Sequence, residues 1–186
     1  EEVGAHGDPG AVQVEMQAQV ERALAAGIDV THVDTHMGAV AHPKFVSIYV
    51  QMALQYRLPP MIPRLDEAGW REVGFDAEMA AFAAQFVQEL EGQGLPLLDH
   101  LTGLPLEEDP GDRIAMTKRE IDALPPGISH LLFHPAQDSP ELRAITPNWR
   151  SRVADYEVFS SEELRRYVRD EGVHVIGYRS LRDLMR

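Results

Sequence analysis

Apolar residues in this chain recur with helical spacing in several stretches, and shorter apolar runs bounded by Gly and Pro separate them. The spacing i, i+3, i+4 is typical of a helix with one buried face, and short bounded runs favour buried strands. The predicted helices cover about 12–26, a second helix that starts near Pro43, 76–91, 113–124, 161–171 and 180–185. The predicted strands cover 28–35, 61–64, 95–98, 128–134 and 173–178. This alternation predicts an α/β fold with parallel strands.

Local signals place several helix ends. Gly27 lies where the first helix should stop, and Asp112 is positioned to cap the helix that follows it. Ser160 and Glu163 have the spacing of a capping box, which predicts a helix start there. Between these elements, residues 140–152 are predicted to form a loop with one helical turn.

The run Thr31–His36 carries two imidazoles and one carboxylate at alternate positions. On an extended strand, His32, Asp34 and His36 would point to the same side. Imidazole and carboxylate are common ligands of hydrolytic divalent metals, so the run predicts a metal site at a strand end. The alternative is a strand end whose polar groups form only local hydrogen bonds.

Further polar residues follow the other predicted strands. Arg64, Asp99, His100 and His134 all fall where a predicted strand ends. Ligands of α/β folds collect beyond the carboxyl ends of parallel strands, so we expect these residues to line one site. Two structural alternatives remain: Arg64 could form a surface salt bridge, and His134 could be a hydrogen-bonded core histidine.

Composition narrows the function classes. The chain has 186 residues, 44% of them hydrophobic, which predicts a single globular domain over 1–186. A net charge of −13 argues against a nucleic-acid partner. The longest apolar stretches are interrupted by Pro, Gly or His, and no secretory signal is visible, so we expect no membrane span and a cytoplasmic location. With no cysteine, disulfides and thiolate metal sites are excluded.

Three motifs together resemble the YdjC-like carbohydrate deacetylases, the family that includes chito-oligosaccharide deacetylase. A helix, Gly27 and then Thr31–His36 are similar to the family's helix, Gly and Thr-His-Leu-Asp-Ser-His signature. Leu131–Pro135 is similar to the family's late strand that ends in His-Pro-Gly, and Ser161–Tyr178 is similar to its C-terminal pattern. The chain departs from the family at Ala136, where Gly is usual, and after His36, where further histidines are common.

The resemblance implies a distorted (β/α) barrel of the glycoside hydrolase and deacetylase type. It also implies removal of acetyl groups from N-acetylated sugars with a divalent metal, magnesium or zinc. The family's ligands are an Asp and two His residues, of which only His36 has a match here, and no Asp-Asp pair occurs in the chain. With five predicted strands instead of eight, we expect an incomplete barrel that lacks an N-terminal segment.

Amide hydrolysis also needs an acid for the leaving amine, and His134, which ends a buried strand before Pro135, is the candidate. Asp34 is expected to orient a ligating histidine or to cap the loop. Arg64 is the candidate for a substrate hydroxyl or carboxylate. Two other hypotheses stay open: a metal hydrolase of the amidohydrolase or polymerase-and-histidinol-phosphatase type using His32 with His36, and a non-catalytic sugar-binding or assembly module that forms homo-oligomers.

Overall fold

The chain folds into two compact units. A computed structural model describes residues 2–186, with side chains from Gly4 onwards. One unit is Leu98–Val175, and the other combines the chain before it with Ile176–Arg186. The elements in chain order are α1 (Glu2–His6), α2 (Pro9–Ala25), a 3-10 helix (His36–Ala41), α3 (Val46–Tyr56), α4 (Glu67–Glu72), α5 (Ala77–Gly92), β1 (His100–Gly103), α6 (Arg113–Asp122), β2 (Ser129–Leu132), α7 (Pro140–Ile145), α8 (Trp149–Ser160), α9 (Glu162–Asp170) and α10 (Arg179–Leu184). None of these helices is both long enough and apolar enough to cross a bilayer.

The core of the first unit is built on α3. The apolar residues that recur at helical spacing along it form a stripe, in which Phe45, Tyr49 and Met52 are buried and Ile48 and Tyr56 are half-buried. Around this stripe pack apolar side chains from α2, α5 and the segments between helices, among them Met16, Val20, Val33, Leu58, Ile62, Val87, Leu90 and Leu95. The burial of these side chains is the main free-energy gain that fixes the unit's fold.

Several helices begin at a capping side chain. The predicted cap at Asp112 is confirmed, because its carboxylate accepts the Ala115 amide at 3.1 Å. The capping box was placed one residue early. The Ser161 hydroxyl accepts the Leu164 amide at 3.1 Å and opens α9, whereas Ser160 is the last residue of α8.

The sheet of the second unit confirms the predicted parallel pairing. β1 and β2 run parallel, with His100 opposite Ser129 and Gly103 opposite Leu132. β2 lies inside the predicted strand 128–134, but β1 begins after the predicted strand 95–98. Leu95, Leu97 and Leu98 are buried all the same, which accounts for their strand-like pattern.

Three predicted strands do not form ladders in the described part of the chain. In the segments 28–35 and 61–64 only isolated bridge residues occur: Val33, which pairs in parallel with Pro60, and Pro63. The segment 173–178 contains no strand residue, and Val175 is 83% exposed. An apolar run becomes a strand only where a neighbouring backbone offers hydrogen bonds, and proline removes a donor from such a ladder.

Among the described residues, α1, α4, α8 and the 3-10 helix were not predicted, whereas α7 lies where one helical turn was expected within 140–152. In α8 the buried residues are Ser151 and Asp155, so apolar periodicity does not mark its inward face.

Candidate functional site

The main chain of the Thr31–His36 motif is anchored to the core at Val33. The buried Tyr49 hydroxyl donates to the Val33 carbonyl at 2.6 Å and accepts the Met61 amide at 3.0 Å. The Met61 amide also donates directly to the Val33 carbonyl at 3.1 Å. Burial raises the pKa of Tyr49 well above its ordinary range, so the hydroxyl remains protonated and able to donate.

His32 precedes this anchor and packs against an aromatic ring. Its imidazole stacks on Tyr178 with centroids 4.1 Å apart and planes 9° apart. Nδ1 lies 3.1 Å from the Thr31 hydroxyl. Burial lowers the pKa of His32 and outweighs the opposing effect of the Asp34 charge, so the ring is neutral at pH 7. Burial, followed by the Asp34 charge, raises the pKa of Tyr178 to about 12.

The C-terminal helix α10 is tied to the start of the same segment. The Asp29 carboxylate accepts from Arg179 at 2.7 Å and also from Arg182. Arg182 is buried and donates to the Val30 carbonyl at 3.1 Å. Hydrogen bonds from the two guanidinium groups lower the pKa of Asp29. These bonds fix α10, and with it Tyr178, against the residues that lead into the motif.

Asp34 and His36 lie beyond the anchored part of the motif. Asp34 is exposed, and its carboxylate accepts the amide of the next residue, Thr35, at 2.5 Å. His36 is exposed and begins the 3-10 helix, in which Met37 and Gly38 have positive φ angles of 56° and 69°. The prediction that His32, Asp34 and His36 share one strand face is therefore wrong, because the extended backbone ends before His36.

An apolar recess opens beside Thr35 in the same unit. Its volume is about 600 Å³ including the open mouth, and its walls include Tyr49 and Trp70. Trp70 Nε1 is buried and has no hydrogen-bond partner among the described residues. The recess can therefore accept an apolar face of a ligand, with little polar recognition from its walls.

In the second unit, His134 lies two residues beyond β2, at the carboxyl end of the sheet as predicted. Its backbone amide donates to Asp155 Oδ2 at 2.7 Å. Asp155 is fully buried, and Arg113 Nε donates to its Oδ1 at 2.6 Å. The ring Nδ1 of His134 is buried without a hydrogen-bond partner in the described chain, so Nε2 is the nitrogen available to a substrate.

Asp99 and His100 do not join His134. Because β1 and β2 are parallel and His100 pairs with Ser129, these residues lie at the amino end of the sheet. About 10 Å of strand separates that end from the carboxyl end. The Asp99 carboxylate accepts the Ile128 amide at 2.7 Å, which gives it a role in starting β2.

Arg64 is half exposed and pairs with Glu91, with Nη1 2.5 Å from Oε1. This is the surface ion pair that was the structural alternative for Arg64. An exposed pair of this kind contributes little to stability, about 0 to 1 kcal/mol.

The histidine and acidic residues do not complete a metal site. Over residues 2–186, no group of three or more His, Asp or Glu side chains is arranged to hold a metal ion. His36 on its own provides one imidazole, whereas a divalent metal in a protein site takes several ligands. The described residues therefore do not fit a resident metal without further donors.

Comparison with known families decides where the chain belongs. The family model described as YdjC-like protein matches residues 2–170. The chain belongs to the YdjC-like family.

Curated relatives of this YdjC-like chain are named carbohydrate deacetylase. The protein from Thermus thermophilus is 32% identical over 174 residues, which cover 94% of this chain and 61% of the relative. A relative from Vibrio campbellii is 26% identical over 174 residues, covering 92% of this chain and 58% of its own length. The chain thus spans about three fifths of the length of these relatives.

A solved structure shares the fold. It is the crystal structure of a proposed cellobiose-phosphate cleavage protein from Enterococcus faecalis V583, with a TM-score of 0.71 and 18% identity. The match covers 94% of this chain and 61% of the other. It confirms the predicted α/β class and is consistent with a distorted barrel-like fold.

Sequence reasoning missed two residues around the Thr31–His36 motif, Tyr49 and Tyr178, and two residues around His134, Arg113 and Asp155. Tyr49 was assigned to the core without its two hydrogen bonds. Asp155 had a weak signal in the sequence, since Val153, Ala154 and Tyr156 lie next to it, but Glu157 follows two positions later. An acidic residue among apolar neighbours is rarely buried unless it is paired.

Proposed function

We propose that this YdjC-like chain belongs to an enzyme that removes acetyl groups from N-acetylated carbohydrates by hydrolysis of the amide C–N bond. The observation that carries the proposal is the set of relatives named carbohydrate deacetylase, which align with 92 to 94% of the chain. Because the chain spans about three fifths of their length, the activity is assigned to the protein that contains it.

His134 is the proposed acid for the leaving amine. Its position beyond the carboxyl end of β2 is where α/β folds present functional groups. Its buried Nδ1 leaves Nε2 as the nitrogen that would hand a proton to the departing amine. The bond between carbonyl carbon and nitrogen breaks as that proton arrives.

His36 is the proposed metal ligand, for magnesium or zinc. The support is its exposed imidazole at the end of the anchored motif, together with the family match. The described residues do not complete a metal site. We therefore assign no catalytic step to the metal and expect this chain alone to bind metal weakly.

Asp34 and Arg64 are proposed to assist. The carboxylate of Asp34 is exposed and belongs to the motif. Its negative charge raises the pKa values of His32 and Tyr178, so it is close enough to orient a polar neighbour. Arg64 would contact a sugar hydroxyl by exchanging its exposed partner Glu91. The alternative hydrolase, in which His32 binds metal beside His36, has less support because the His32 ring is half-buried and stacked on Tyr178.

Acetate release from N-acetylglucosamine oligosaccharides tests the proposal. The protein containing this chain should release acetate, and His134→Ala should reduce the rate at least a hundredfold. His174→Ala is the matched control, because it removes the same ring from an exposed position. Absence of acetate release from the unaltered protein would favour the sugar-binding module, and equal rates for His134→Ala would remove His134 from the chemistry.

A further inference from the structure

Helix α8 presents one face to the chain segment that contains His134. We call residues 133–137 the His134 segment. Helix positions 152, 155, 156 and 159 all touch it, and their spacing of i, i+3, i+4 and i+7 places them on one side of the helix. The four contacts are the Phe133 ring stacked on Phe159 at 3.6 Å, the His134 amide on Asp155 at 2.7 Å, the Ala136 amide on the Arg152 carbonyl at 3.0 Å, and Gln137 Nε2 on the Tyr156 hydroxyl at 2.9 Å.

Two of these contacts hold the main chain. His134 and Ala136 each donate their backbone amide to α8, and Pro135 between them has no amide hydrogen. Every backbone donor from 134 to 136 is therefore engaged by the same helix. The backbone at His134 is fixed in position although its ring Nδ1 has no partner among the described residues.

The central contact is rigid because Asp155 is itself held from the other side. Its two carboxylate oxygens accept one donor each, Oδ2 from the His134 amide and Oδ1 from Arg113 Nε. Both Asp155 and Arg113 are buried, at 0% and 4% exposure, and Arg113 also donates to the Pro105 carbonyl at 2.9 Å. A hydrogen bond to a buried carboxylate is stronger than one between neutral groups.

We infer that Asp155, held by Arg113, is the positioning residue that sets the orientation of His134 through the main chain. A catalytic histidine is commonly oriented by a partner on its second ring nitrogen, and that partner is missing from the described residues here. The α8 face takes over this role by fixing the backbone from which the ring extends. The chemical consequence rests on the proposed function of His134, but the positioning itself does not.

Asp155→Asn tests the inference, with Glu157→Gln on the exposed side of the same helix as the matched control. Asparagine has one acceptor oxygen, so either Arg113 or the His134 amide must face an NH2 group. Hydrogen exchange of the His134 amide, read by NMR, should accelerate about tenfold in Asp155→Asn and stay unchanged in the control. Unchanged exchange of the His134 amide both in folded Asp155→Asn and in the double variant described below, which has no acceptor at position 155, would overturn the inference.

The activity readout separates positioning from general structure. In the protein that contains this chain, Asp155→Asn should lower kcat for acetate release about ten- to a hundredfold with KM within about twofold. In a His134→Ala background the same change should have no further effect on kcat, and an equal effect in both backgrounds would refute positioning. If the unaltered protein releases no acetate, the proposed function fails while amide exchange still decides the positioning.

A second variant covers the case in which Asp155→Asn does not fold. The double variant Arg113→Met, Asp155→Leu replaces the buried pair by apolar side chains of similar size, an exchange that proteins often tolerate. It still deprives the His134 amide of its acceptor. Accelerated exchange at His134 in this variant supports the inference, and protection equal to the wild type overturns it.

Discussion

Removal of one hydroxyl at Tyr49 tests how the Thr31–His36 motif is held. In Tyr49→Phe the aromatic ring keeps its place in the core, and only the two hydrogen bonds to Val33 and Met61 are lost. The Val33 carbonyl and the Met61 amide remain bonded to each other at 3.1 Å, so neither is left without a partner. This geometry decides the size of the expected effect.

The expected loss of stability is about 1 kcal/mol, the net value of a typical intramolecular hydrogen bond. If the substitution left both backbone groups unpaired, each would cost about 1 to 3 kcal/mol, and the loss would be several times larger. For a chain of this length, 1 kcal/mol corresponds to a fall in Tm of about 2 to 4 °C. The two outcomes are therefore well separated.

The chain offers a direct assay, because it has two tryptophans and each unit contains one. In a Trp149→Phe background, the fluorescence of Trp70 reports urea unfolding of the first unit alone. Tyr56→Phe is the control, since the Tyr56 hydroxyl donates to exposed Glu21 at 3.0 Å and its loss should lower stability less than the loss of the Tyr49 hydroxyl. A loss above about 2.5 kcal/mol for Tyr49→Phe would show that the Val33–Met61 bond does not survive alone, and a loss equal to that of the control would show that the hydroxyl is not an anchor.

Three further predictions concern the motif and its surroundings. Titration calorimetry with Zn²⁺ and Mg²⁺ should show only weak binding by this chain, reduced further in His36→Ala but not in His174→Ala; tight binding at one ion per chain would contradict the incomplete ligand set. Burial lowers the pKa of His32 in the folded chain, so as the pH falls the His32 ring takes up a proton in the unfolded chain before it does so in the folded chain. The contribution of the neutral His32 ring to stability is therefore complete above about pH 6.5 and is lost as the pH falls through the lower folded pKa. The urea midpoint between pH 7.5 and pH 5 should therefore vary less in His32→Gln than in the wild type. The pKa of Asp29 is also lowered, here by Arg179 and Arg182, so its stabilisation is present above about pH 4 and is lost below; Asp29→Asn should flatten that acid limb, and an unchanged limb would exclude the contact.

The sequence predicted helices well where an apolar face meets the core. The stripe of α3 and the cap at Asp112 depend on local spacing and local hydrogen bonds, which a single sequence contains. Helix α8 was not predicted because its buried residues, Ser151 and Asp155, are polar. Both form hydrogen bonds with residues that are distant in the sequence. These partners, Glu107 and Arg113, lie more than forty positions away along the sequence, so the spacing of apolar residues cannot predict the contacts.

Strand predictions failed for a related reason. The runs 28–35 and 173–178 have the apolar composition of strands, but pairing is a property of two segments and not of one. Of the site residues, His134 was predicted at the correct edge of the sheet because its strand is paired, whereas Asp99 and His100 were predicted at the wrong edge because β1 starts later than its apolar approach. Because β1 starts a few residues later than predicted, Asp99 and His100 lie at the amino end of the sheet and not at its carboxyl end.

The turn before β2 has a consequence for which amino acids position 127 can accept. Gly127 has a φ angle of +127°, and a β-carbon added to it would come within 2.3 Å of Asp99 Oδ2. Alanine at this point would be opposed twice, once by its own backbone geometry and once by the carboxylate that receives the Ile128 amide. The start of β2 therefore depends on the absence of a β-carbon at position 127, so a residue without a side chain constrains which sequences can form this strand pair.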